Sequence, residues 1–303
     1  MASTSEQAAG SVNRAEFGKN PDVTFVFPNS GGAILLAEKL KLPSKSGVFK
    51  NQFTCDTNDK DGAQIAITDI SFDTFNKMVM NIYEKRIVVY EGNYLEILYA
   101  ARKYFVNSLT TIVIKFIKSF LNDNNLADQY EFIEKFHLKI LNDHVYKICI
   151  SFPIKIIGQL TNSVSHKQIL RMILESPTLG CSSEYELYEA VVNMLKKNTT
   201  DITNATYTGE DFRKELGKMV NLIRFPCMSV NELVLCGRIP SLLTTRQLID
   251  CLLWVQEEEF TDTLQDFSTN KRMFFKINNK LHYQMCQTCR GTKILCMVCK
   301  KFF

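Results

Sequence analysis

The feature that most restricts this chain is a change of period. Up to about residue 68 the apolar residues come in short runs of strand type. "DVTFVF" (22–27) is rich in β-branched and aromatic side chains and stops at "PNSGG", "AILL" returns as its partner, and "AQIAIT" (63–68) is a third run. From Ser71 onward the apolar spacing is three and four, the signature of helices with one buried face, and it does not change back. A chain patterned in this way predicts a small sheet that helices must cover, followed by helices packed on helices.

The helical segments can be placed one by one. "SFDTFNKMVMNIYE" opens at a capping Ser71 and sets Phe72, Phe75, Met78, Val79 and Ile82 on one side. "NYLEILYAARKYFVNSL" predicts a stripe through Leu95, Leu98, Ala101, Phe105 and Leu109, and "TTIVIKFIKSFLNDNN" adds a further amphipathic helix. Beyond about residue 125 every apolar segment has helical spacing, as in "SSEYELYEAVVNMLKK" with Leu187, Tyr188, Val191 and Leu195, and Pro, Gly, Asn and Ser punctuate the gaps. The fold class expected is α+β, with a mixed first domain and an all-helical second one meeting near residue 124. Between the strands, "LLAEKLKLPSKSGVFKNQF" (35–53) breaks at Pro43, which limits one helix to a turn. Ser44 is then expected to cap a second helix carrying Val48, Phe49 and Phe53 on one side.

The chain has 303 residues, enough for two domains with real cores, and its 46% hydrophobic and 22% charged content are those of a soluble globular protein. No window approaches the roughly 18 apolar residues of a membrane span. The polar start, "MASTSEQAAGSVNRAEFGKN", lacks the apolar core of a signal peptide, so residues 1–20 are expected to be a flexible leader and the protein cytoplasmic or nuclear. In a reducing compartment its 10 Cys are expected as thiols or metal ligands.

The succession "DVTFVF", "LLAEKLKLPSKSGVF", "IAITDISFDTFNKMVMNIY" and "LEILYAARKYFVNSL" resembles a BTB/POZ domain, across about residues 20–122. "SSEYELYEAVVNML" and "LGKMVNLIRFPCMSVNELV" resemble the BACK domain that often follows it in BTB-domain-containing proteins, with no kelch or PHR domain here. The resemblance implies a BTB/POZ domain over 21–123, a BACK-like helical domain over 124–260 and a Cys-rich tail over 261–303. It implies no catalysis but protein–protein interaction: a homodimer whose interface holds Asp22 and Lys39 in a charged pocket, with Glu38 where the family usually has His. It also implies a partner-facing surface at Val48, Phe49 and Phe53. Some members recruit a cullin scaffold through a hydrophobic-x-Glu loop after the second short helix, and "TCDTNDKDGAQ" lacks that signature. The function expected is therefore an adaptor, the substrate-recognition subunit of a cullin-RING ubiquitin ligase that holds a client protein.

The sharpest chemical motif is "CQTCRGTKILCMVC". Cys286, Cys289, Cys296 and Cys299 form two CxxC pairs, the four-thiolate set of a structural zinc ion, although unliganded thiols or a redox pair fit the same spacing. Residues 271–303 carry Lys271, Arg272, Lys276, Lys280, Arg290, Lys293, Lys300 and Lys301 without one acid, a charge of +8 against 28 basic and 32 acidic residues elsewhere. With Phe274, Phe275, Tyr283, Phe302 and Phe303 interleaved, such a tail is of a kind that contacts nucleic acid, which defines the alternative function: a BTB scaffold or nuclear regulator. The remaining Cys show no ligand spacing and are expected as small core residues. His137 and His144 lie seven apart on what reads as one helix, Trp254 falls on an apolar helix face, and "RFPCMS" (224–229) reads as a helix break with Phe225 buried and Ser229 as a cap.

Overall fold

The structure is a computed structural model that describes residues 13–55, 64–198, 208–239, 242–257, 264 and 267–275. They fall into two compact units divided between Phe120 and Leu121, against an expected boundary near 124.

The first unit is a small sheet clad by helices. Strand β1 (Arg14–Glu16) pairs in parallel with β3 (Ala33–Ala37), β2 (Val23–Phe27) runs antiparallel to β3, and β4 (Gln64–Ala66) runs parallel to β2. The sheet order is therefore β1-β3-β2-β4. Alternation fixes the buried face: Val23, Phe25 and Phe27 of β2 and Ala33, Leu35 and Ala37 of β3 point inward, while the residues between them stay half-exposed. β1 corrects the expectation of a flexible leader through residue 20. Phe17 is buried beside Tyr83, with ring centroids 5.2 Å apart, and its N–H donates to the Leu36 carbonyl, so this short polar stretch is held by one aromatic anchor and the ladder.

Helices α1 (Gly47–Cys55), α2 (Phe72–Ile82), α3 (Tyr94–Lys103) and α4 (Asn107–Phe120) cover the sheet. Ser71 accepts the Thr74 N–H and starts α2, which buries Phe75, Met78, Val79 and Ile82 as its spacing predicts. The ring of Phe75 lies 4.9 Å from Phe25, 5.2 Å from Phe27 and 5.4 Å from Tyr104. Full burial of each such ring is worth about 1.5–3 kcal/mol. The expected α3 stripe is corrected: Leu98, Ala101 and Leu109 are buried, but Leu95 and Phe105 are exposed, because the helix ends before Phe105 and the inner face runs through Tyr94, Ile97 and Ala100 instead.

The second unit is built from helices α5 (Leu126–Lys135), α6 (Asn142–Ser151), α7 (Pro153–Ile157), α8 (Val164–Glu175), α9 (Glu184–Asn198), α10 (Gly209–Leu216), α11 (Val230–Cys236) and α12 (Thr245–Glu257). Leu187, Tyr188, Val191 and Leu195 of α9 form its buried stripe. Phe225 is fully buried against Tyr188 and Phe267, and Ser229 forms a capping box with Glu232, so "RFPCMS" is a helix break as read. Trp254 is half-buried, not a core residue. His137 ends α5 in a left-handed turn (φ 48°) while His144 lies on α6, so the two do not share a helix. Cys149, Cys181, Cys236 and Cys251 are buried, as expected of small core residues, and desolvation pushes each thiol up to about 12.

Two further expectations change here. Among its described residues this unit holds one strand pair, β5 (Thr178–Leu179) with β6 (Met273–Phe274) in parallel, where the spacing predicts helices alone. And the tail read as offering eight cations to nucleic acid starts inside the fold: Phe267 and Arg272 are buried, with Arg272 bound to Glu184. One of the eight tail cations is therefore neutralised inside the fold, and Phe274 and Phe275 lie at a strand.

Candidate functional site

Where α1 begins it meets the corner between α3 and α4. The buried Ser46 hydroxyl donates to the Tyr104 carbonyl at 2.6 Å and accepts the Phe49 N–H at 3.2 Å, so Ser46, not Ser44, caps α1; Ser44 spends its hydroxyl on the Lys41 carbonyl. Phe49 is only 1% exposed, with its ring 4.9 Å from Tyr104 and 5.6 Å from Phe25. This corrects its placement on a partner-facing surface: the aromatic cluster under the sheet takes it. Val48 and Phe53 are half-buried, and the Phe53 ring stacks on Phe49 at 5.6 Å.

The corner itself exposes a different aromatic residue. Helix α3 closes with the Val106 N–H on the Ala101 carbonyl at 2.8 Å, which places Phe105 in the left-handed region at φ 52°, the position usually given to glycine. Val106 goes into the core and Phe105 is thrown outward, 66% exposed. Its Cβ is close enough to Gly47 that a methyl there would lie 3.2 Å away. A groove of about 700 Å³ opens beside it, lined by Pro43, Lys45, Gly47, Lys50, Phe105 and Asn107. Lys45 pairs with Glu84 at 3.0 Å and holds that carboxyl below its ordinary range. An exposed phenyl ring beside such a groove suits an apolar partner surface. Burial pushes the Tyr104 hydroxyl up to about 12.

The residues that the resemblance assigns to a charged interface gather at the ends of β2 and β3. Asp22 Oδ1 accepts the Lys39 N–H at 2.7 Å, which closes the strand pair. Glu38 is tied to its own chain: Oε1 accepts the Lys19 N–H at 2.8 Å and the Asn20 N–H at 3.2 Å, and its own N–H donates to the Tyr83 hydroxyl at 2.9 Å. Those backbone donors, Asn20 first and then Lys19, hold the Glu38 carboxyl below its ordinary range. Gly18 (φ +97°) makes the approach possible, since a methyl there would lie 2.2 Å from Glu38 Cδ. The Glu38 carboxylate thus fastens residues 18–20 to the sheet.

Cys286, Cys289, Cys296 and Cys299, the loop 56–63 and the basic residues from 276 on lie outside the described residues. Among the described residues no group of three or more His, Cys, Asp and Glu is placed to hold a metal ion, and no helix is long and apolar enough to cross a membrane. Sequence reasoning missed Phe105 as a surface group, because no glycine marks the end of α3, and it missed the Arg272–Glu184 pair, whose members stand 88 residues apart.

Residues 13–121 match the BTB/POZ domain family model. BTB/POZ domain-containing protein 3 from Homo sapiens is 29% identical over 238 residues, covering 77% of this chain and 44% of that protein. BTB/POZ domain-containing protein 6 from Xenopus tropicalis is 25% identical over 237 residues, covering 77% of this chain and 44% of its own length. The chain thus spans less than half the length of these curated relatives. Among solved structures, the BTB domain of zebrafish PATZ1 is 25% identical, covering 33% of this chain and 76% of that one, with a TM-score of 0.29.

Proposed function

We propose that this chain, whose residues 13–121 are a BTB/POZ domain, is a non-catalytic adaptor that pairs with a second copy and presents the Phe105 groove to a cullin scaffold, as the substrate-recognition subunit of a ubiquitin ligase. The observation that carries the reading is Phe105 itself. A bulky residue held at positive φ and turned into water costs stability, and such strain persists where a surface is kept for docking. The helical unit, which we read as a BACK domain, serves as a spacer. An adaptor needs no reacting group of its own, because holding a client beside a loaded enzyme raises its effective concentration.

The test is the native mass of the full chain, alone and mixed with a cullin amino-terminal domain. The reading expects a two-chain species that takes up one scaffold domain per chain; a monomer that ignores the scaffold contradicts it. Measured again with a chelator, the same mass tests the proposed zinc ion at Cys286, Cys289, Cys296 and Cys299, which rests on ligand spacing. The nucleic-acid alternative loses support from Arg272, whose charge is already taken by Glu184.

A further inference from the structure

Residues 267–275 cross the helical unit as a strap with two anchors. At one end the Phe267 ring packs edge-on against Phe225 at 5.3 Å. At the other, Arg272 enters a seat lined with oxygens. Its Nε donates to Glu184 Oε2 at 2.8 Å and its Nη2 to the Leu222 carbonyl at 2.8 Å and Glu184 Oε1 at 3.4 Å, while Nη1 donates to the Ser176 carbonyl. Both side chains are out of water, at 0% and 2% exposure. Glu184 is held in turn by the Arg224 N–H at 2.9 Å. A planar fork with five N–H groups fills such a seat, and an ammonium does not.

Between the two anchors, Arg224 Nη1 donates to the Asn270 carbonyl at 2.6 Å. Lys271 and Met273 on either side of the arginine are exposed, and the parallel ladder of β6 on β5 spans only Thr178–Met273 and Leu179–Phe274. Main-chain bonds extend it by one step at each end, Met273 N–H to the Pro177 carbonyl at 2.9 Å and Phe275 N–H to the Leu179 carbonyl at 3.0 Å. Main-chain pairing with one deep side-chain pocket is how a domain takes an extended peptide by strand addition.

We propose that the Glu184 seat and the β5 edge form a peptide-binding site for an extended segment bearing an arginine, and that this chain's own Lys271-Arg272-Met273-Phe274 occupies it in cis. The tether keeps the local concentration of this occupant high, so a partner segment of the same chemistry displaces it only when it binds well or is present in excess.

Cys227 reports the strap directly, because its Sγ lies under the Ser268 and Thr269 carbonyls at 3.8 and 3.5 Å; Cys149 on α6 reports global unfolding. In the full chain, Arg272→Ala is expected to speed alkylation of Cys227 on the order of 100-fold while Cys149 stays protected. Adding the peptide FSTNKRMFF to that variant should restore Cys227 protection, and the same peptide with alanine for arginine should not. Arg272→Lys should fall between the wild type and Arg272→Ala. Joint exposure of Cys227 and Cys149, no protection by the peptide, or equal protection by both peptides overturns the proposal.

Discussion

The Ser46 hydroxyl reaches the Tyr104 carbonyl across 2.6 Å, and this one bond ties the start of α1 to the corner that displays Phe105. Both groups are shielded from water, and the same hydroxyl caps α1. Ser46→Ala leaves a buried carbonyl and a helix N–H unsatisfied, so it is expected to destabilise the first unit by about 1–3 kcal/mol, measured by urea denaturation.

Phe105 sets stability against docking. Glycine adopts φ near +50° without the clash of a Cβ, so Phe105→Gly is expected to raise stability by about 1 kcal/mol while removing the exposed ring. Thermal denaturation checks the direction; an unchanged or lower midpoint would mean that the corner is not strained.

Glu38 gives the first unit a local pH dependence. Its carboxyl titrates below the ordinary value of 4.5, so its tie to Lys19 and Asn20 is present above that pH and is lost as pH falls through the lower folded-state value. The Lys19 and Asn20 amide resonances are expected to move together along one titration, and Glu38→Gln should abolish it. Gly18→Ala should disturb the same two amides at neutral pH, since the methyl has no room beside the carboxyl.

The buried pair predicts an asymmetry between substitutions. Glu184→Gln leaves the Arg272 guanidinium out of water without its counter-charge and is expected to cost about 3–5 kcal/mol by denaturant unfolding. Replacing both residues by apolar ones of similar size should recover much of that loss, which a double-mutant cycle measures.

The thiols of Cys149, Cys181, Cys236 and Cys251, pushed up to about 12, are expected to resist alkylation at pH 8 until the second unit unfolds. Peptide mapping after a short exposure to iodoacetamide checks each one separately.

What the sequence made legible were features that act over a few residues. The alternation in "DVTFVF", the Ser71 and Ser229 caps and the α9 stripe each declare themselves locally, and the structure contains them. What it hid depends on contacts between distant segments. β1 exists because Phe17 finds Tyr83, and Phe49 goes inward because Phe25, Phe75 and Tyr104 surround it. Phe105 reads as one more member of an apolar stripe because a left-handed helix end without glycine leaves no local mark. Arg272 reads as one charge among eight because its acid lies 88 residues earlier.

The central claim is that Phe105 is displayed for a scaffold to grip. Calorimetric titration of the full chain with a cullin amino-terminal domain, wild type against Phe105→Gly, tests it most directly. The account predicts saturable binding by the wild type and its loss in the better-folded variant; equal affinities, or a correctly folded wild type that binds nothing, would contradict it.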